Sequence, residues 1–184
     1  ATDENADDNA TDLLPVSVRE GSKGTIVQLG TDSKRTSSDT PFGLANKYAA
    51  ALNLYSAQEL GSGSKNIVKA AWPYDASWQH EDANDLPVRV YMANTDRTNN
   101  LEGWIPENEM TLVYDGTISI PKETKGEVAV ELTTPFAYQD GKNLAVLTVV
   151  HTDKNLQYTN FYAYKSPLDE NCSFHWGYRY TEEW

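Results

Sequence analysis

Short runs of alternating apolar and polar residues recur along most of the chain, the pattern of half-buried strands rather than of helices. Thr25-Ile26-Val27-Gln28-Leu29 alternates as a strand, Ile67 to Trp72 reads as the next, and Val88-Arg89-Val90-Tyr91-Met92 alternates most clearly. Thr111-Leu112-Val113-Tyr114 runs into Asp115-Gly116, a strong two-residue hairpin signal, and Thr117-Ile118-Ser119-Ile120 continues to Pro121. From Glu127 to Leu132, the side chains of Val128, Val130 and Leu132 fall on one face. Leu144 to Val150 is almost continuously apolar, so both faces want burial and the strand belongs at the centre of a sheet. Phe161 to Tyr164 and Phe174 to Tyr180 supply the last two strands. Polar loops are expected over 30–43, 73–85 and 94–109, with Trp104 inside the last, and turns at Gly61-Ser62-Gly63-Ser64 and Asp140-Gly141. Pro135, which cannot donate to a ladder, reads as a strand end.

One stretch is ambiguous. Ala49-Ala50-Ala51-Leu52 could open a helix. Tyr55-Ser56-Ala57-Gln58-Glu59-Leu60-Gly61 reads better as a strand end followed by a helical turn. Ser56 with Glu59 three residues on is a capping box, and Gly61 is a stop. About nine short strands and no helix of ordinary length predict an all-β fold: an antiparallel two-sheet β-sandwich, jelly-roll-like.

The N-terminal segment has a different character. Residues 1–12 hold five acidic side chains, no basic ones and no large apolar one, too little to offset the entropy of ordering. We therefore expect a flexible acidic tail or linker over 1–20 and the sandwich over 21–184. Asn9-Ala10-Thr11 fits the glycosylation sequon. Across the whole chain 15 Lys and Arg face 27 Asp and Glu, a net charge of −12. That balance argues against nucleic acid and against anionic lipid, both of which need a surplus of cations. Cys172 is the single cysteine, so no intrachain disulfide framework and no multi-cysteine zinc site is expected. No apolar run approaches the roughly 20 residues that would span a membrane, and the acidic opening itself has neither the basic nor the apolar stretch of a leader.

Four segments come in a recognisable order: Tyr55 to Gly61, Val88 to Asp96, Leu112 to Gly116, and Thr134-Pro135-Phe136-Ala137-Tyr138 followed by Asn143-Leu144-Ala145-Val146. Over about residues 25–165 the chain resembles a β-sandwich domain common in surface and secreted proteins of Bacteroidota; residues 171–184 depart from that pattern. The resemblance implies a secreted or cell-surface setting, with an accessory or adhesive role among other modules, and no particular reaction.

The chemistry-bearing residues give little sign of catalysis. Cys172 and His175, three apart in a strand, fall on opposite faces and form no nucleophile pair. No phosphate loop, zinc-protease motif or nucleophile elbow occurs. Carboxylates are so numerous that a hydrolytic pair is always conceivable, which makes a carboxylate hydrolase the last-ranked alternative. No cofactor is expected. Calcium is a candidate in the loop carrying Asp96, Asn99, Asn100 and Glu102, because hard cations take carboxylate and amide oxygens. Sugar binding is the sharper expectation. The CH face of a sugar stacks on an exposed aromatic ring while neighbouring Asp and Gln take hydroxyls. Trp72-Pro73-Tyr74-Asp75-Ala76-Ser77-Trp78-Gln79-His80 has that composition. Tyr74 and Trp78 would be the platform, with Asp75 and Gln79 beside it. Trp72 is expected in the core, and Trp104 as a plug at one end of the sandwich. The function expected first is a non-catalytic surface module contacting a glycan, or a host or neighbouring surface protein. The alternative is a spacer or assembly domain of a larger surface protein.

Overall fold

The computed structural model describes residues 14–20, 23–29, 35–37, 41–152, 156, 158–163, 166–168 and 173–178. Among them eleven strands form two antiparallel sheets, a β-sandwich as the alternation predicts. The strands are β1 (Leu14–Glu20), β2 (Lys23–Leu29), β3 (Arg35–Ser37), β4 (Tyr48–Tyr55), β5 (Lys65–Asp75), β6 (Ala83–Thr95), β7 (Thr111–Ile120), β8 (Lys125–Tyr138), β9 (Asn143–His151), β10 (Asn160–Ala163) and β11 (Ser173–Tyr178). The only α-helical element described is one turn, α1 (Ala57–Leu60). No described helix is long and apolar enough to cross a membrane. Leu14–Glu20, assigned to the tail by composition, pairs with both β2 and β5, so the sheet begins before residue 21. The sequon at Asn9 and Cys172 lie outside the described residues.

The five-stranded sheet runs β11-β4-β9-β6-β7. Its middle strand is β9, and residues 144–148 are all buried, as a nearly continuous apolar run requires, with Thr148 the one polar side chain among them. In the six-stranded sheet β5 is the hub. β8 pairs along one side of it, and β1 and β10 share the other. β1 reaches Ala70 and β10 begins at Tyr74, which leaves Ala71, Trp72 and Pro73 without a partner on that side among the described residues. Pro73 falls in this gap, where its missing N–H costs least, so the strand continues to Asp75 instead of ending at Pro73. Pro135 similarly lies within β8, not at its end, where the register with β5 slips between Ile67 and Lys69.

Alternation assigns two apolar layers. Val88, Val90 and Met92 of β6, with Leu144, Val146 and Val150 of β9, face the six-stranded sheet, where they meet Ile67, Trp72, Tyr74, Val128 and Val130 in the main core. Phe42 packs edge-on against both Trp72 and Phe161 there. The opposite parity, Ala50, Leu52, Leu54, Tyr91, Ala93, Ala145 and Leu147, makes a second cluster on the outer face of the five-stranded sheet. Ile105 completes it from the loop between β6 and β7, with Trp104 and Met110 packed alongside.

Two local expectations met different fates. Ser56 caps α1 with both halves of the capping box formed, and Gly61 ends the turn with φ 71°. Asp115-Gly116, by contrast, is no hairpin. β7 runs straight through, with Asp115 opposite Arg89 and Gly116 opposite Val88. Gly116 is there for space: a Cβ would come within 2.7 Å of the Tyr114 ring, whose hydroxyl donates to Thr117 O. Gly126, opposite Tyr74, is crossed by that ring in the same way, at 3.0 Å.

Candidate functional site

The β5–β6 loop carries the aromatic-rich segment, and its residues part company. Tyr74 still belongs to β5 and is buried in the main core, its ring near Phe161 and its hydroxyl 3.3 Å from Thr124 Oγ1. It therefore cannot form a platform with Trp78. The reason is parity: Tyr74 is two residues from Trp72 on the inward face of β5. Gln79 is also internal, 1% exposed. Its Nε2 donates to Glu81 O, and its Oε1 accepts from Thr159 Oγ1. It ties the loop down rather than meeting solvent. Asp75 is partly exposed and committed. Its carboxylate accepts from Ser77 N and pairs with Lys125 Nζ at 2.8 Å. Burial pushes the Asp75 carboxyl up, but the Lys125 ammonium and the Ser77 hydrogen bonds outweigh it, and the group titrates below the ordinary carboxylate range.

Trp78 alone of the proposed set faces out, at 74% exposure. It sits on a turn closed by Gln79 N donating to Ala76 O and anchored by Ala76 N donating to Thr124 O. Two further exposed rings lie along the same border, His80 and Tyr158, edge to face at 5.6 Å. Thr159, which binds Gln79, follows Tyr158 directly, so one buried glutamine fixes both segments. Sequence composition pointed to this loop but not to Tyr158, which is distant along the chain and is brought to the loop by the pairing of β10 with β5 and by the Gln79–Thr159 bond.

The calcium candidates each make a contact within the protein, although Asn100 Oδ1 is buried without a hydrogen-bond partner. Asp96 is bound by Lys142 Nζ at 2.6 Å, and Glu102 pairs with Arg97 at 3.5 Å. Asn99 Oδ1 accepts from Leu101 N. Asn100 is buried, its Nδ2 donating to Leu52 O, which fastens the loop to β4. Among the described residues no three His, Cys, Asp or Glu side chains are placed to share a metal. The loop is laid onto the sheet by side-chain to backbone bonds: Asn143 Nδ2 donates to Arg97 O, and Arg97 Nη1 donates to Gly103 O. Trp104 is half-buried on the outer face of the five-stranded sheet instead of plugging an end.

The loop covers only part of that face. Beside Trp104 the surface holds two hollows that both border Val149. One, of about 220 Å3, is lined by Ala50, Trp104, Ile105, Pro106, Glu107, Leu147 and Val149. The other, of about 320 Å3, is lined by Tyr48, Pro87, Val88, Arg89, Asp115, Val149, Val150 and His151. A polar string crosses the floor. Arg89 Nε meets Asp115 at 3.4 Å, and Arg89 and Glu107 both reach the Tyr91 hydroxyl. Burial, reinforced by Glu107, pushes the Tyr91 phenol up against the opposing pull of Arg89. His151 stacks on Tyr48, its direct cross-strand partner, at 4.5 Å. No single sequence segment signals this hollow, because it gathers residues from four strands and a loop. No family model, curated protein or solved structure matches the chain.

Proposed function

We propose that this chain is a non-catalytic binding module, exported and displayed at a cell surface, that touches glycans through Trp78. The observation that carries the reading is the exposed Trp78 ring on a loop fixed from beneath by Gln79 and Thr124. A rigidly held, solvent-facing indole offers a stacking surface without paying to order a loop on binding. His80 and Tyr158 extend the aromatic border beside it. The test is a glycan-array and host-protein binding screen of wild type beside Trp78→Ala. Glycan binding by wild type that Trp78→Ala loses is the expected result. Silence from wild type, or equal binding by both, overturns it.

A further inference from the structure

The charges around Trp78 narrow the class of sugar that its ring would take, an inference that rests on the reading of Trp78 as a glycan platform. Trp78 is 74% exposed, and the exposed rings of His80 and Tyr158 lie along the same border. Glu81, Asp82 and Asp85 follow closely along the chain, all exposed. Exposed Glu123 stands on the turn between β7 and β8. That turn is bound to the loop twice: Ala76 N donates to Thr124 O at 2.8 Å, and Lys122 N donates to Asp82 Oδ1 at 2.9 Å. The lysines there are Lys122 and Lys125, and Lys125 is paired with Asp75 at 2.8 Å. With that pair set aside, four carboxylates stand against Lys122 among the described residues of the two segments.

We propose that the Trp78 border selects a cationic sugar, an oligosaccharide of hexosamine units with free amino groups, whose CH face and adjoining ammonium lie on the indole. Two attractions act together. The face of an indole draws a cation as well as a CH surface. The carboxylates around it, on a chain of net charge −12, concentrate cations and repel a uronate. A neutral sugar stacks on the ring but gains nothing from the carboxylates. A basic peptide carries the same charge without the flat CH face that covers an indole. Because the carboxylates are exposed, their pull is modest and salt-sensitive.

Calorimetric titration of the full chain tests the proposal. The probes are glucosamine oligosaccharides, N-acetylglucosamine and uronic-acid oligosaccharides of the same length, and oligolysine. Glu81→Gln with Glu123→Gln removes two charges and keeps side-chain shape, Trp78→Ala removes the ring, and urea midpoints check that each variant folds. In low salt the free-amine series should bind wild type about tenfold more tightly than the N-acetylated series, and more tightly than oligolysine. The uronic series should bind least. The double glutamine variant, or added salt of about 0.5 M, should cut the preference to about twofold. Trp78→Ala should weaken every sugar that binds. N-acetylated or uronic sugars that bind as tightly as the free amines, with Trp78→Ala still losing them, overturn the cationic preference and leave the glycan reading standing. A preference that neither salt nor the glutamines reduce does the same. Oligolysine binding more tightly than any sugar assigns the border to a basic peptide and overturns the sugar. Silence from every sugar overturns both readings.

Discussion

β6 is entered and left by two loops that each carry a tryptophan, and they behave in opposite ways. Loop 76–82 is short and held by its own backbone bonds and by Gln79, and it leaves Trp78 in solvent. Loop 96–110 lies back on the outer face of the five-stranded sheet, sinking Ile105 and half-burying Trp104. Both stretches are polar loops with aromatic content in the sequence. What separates them is the surface beneath. The second loop has Leu52, Tyr91 and Leu147 under it, an apolar layer that pulls the chain down. An aromatic ring in a loop is therefore a contact residue or a packing residue according to the parity of strands it does not belong to.

The contrast breaks most decisively at Ile105. Ile105→Ala should lower unfolding free energy by about 2–3 kcal/mol, the cost of emptying a buried aliphatic site, read from urea denaturation. Trp78→Ala should stay within about 0.5 kcal/mol, as an exposed substitution does. Near-equal values for the two would mean the long loop is not packed as the second cluster implies. The same rule, that the surface beneath decides, extends to Gly116. Gly116→Ala should cost about 1–3 kcal/mol by driving the Tyr114 ring off its seat. In a Tyr114→Ala background the same change should cost much less. A penalty that persists there would point to a backbone cause, as in a hairpin turn, and against the straight strand.

That glycine marks where the sequence was legible and where it was not. Alternation placed Val88, Val90 and Met92, and the run at Leu144 placed the central strand, because period and continuity act within one segment. The Ser56 box was readable for the same reason, since both of its bonds close within three residues. Asp115-Gly116 misled because glycine has two uses, a turn that needs positive φ and a strand position that must receive a neighbour's ring, and the dipeptide does not say which. Tyr74 misled because Pro73 looked like a strand end, and only the gap between β1 and β10 shows why it is tolerated. The hollows beside Trp104 were invisible from sequence, since they gather residues from four strands and a loop.

Gln79 sharpens the contrast from the other side. If loop 76–82 is held by specific bonds rather than by an apolar layer, Gln79→Ala should cost about 1–2 kcal/mol, because it leaves Thr159 without its partner. It should also speed proteolytic nicking at Trp78, whereas Ile105→Ala should speed nicking in 96–110. Nicking of both loops by either variant would show that they open together, and their separate treatment would fail.

The smallest effect belongs to Asp75, at the root of the short loop. Its carboxyl is depressed in the folded state, so its contribution is complete above the unfolded value of about 3.9 and fades as pH falls through the lower folded value. Between about pH 5 and pH 3, wild-type stability should therefore fall more steeply than that of Asp75→Asn, and the two curves should draw together in acid. The asparagine keeps an oxygen for Ser77 but loses the charge facing Lys125, so the gap isolates the ion pair. Lys125 is largely exposed, and added salt of about 0.5 M should narrow the difference through screening. A gap that salt leaves untouched would instead assign the loop's footing to the Ser77 hydrogen bonds, which are short-ranged and nearly blind to ionic strength.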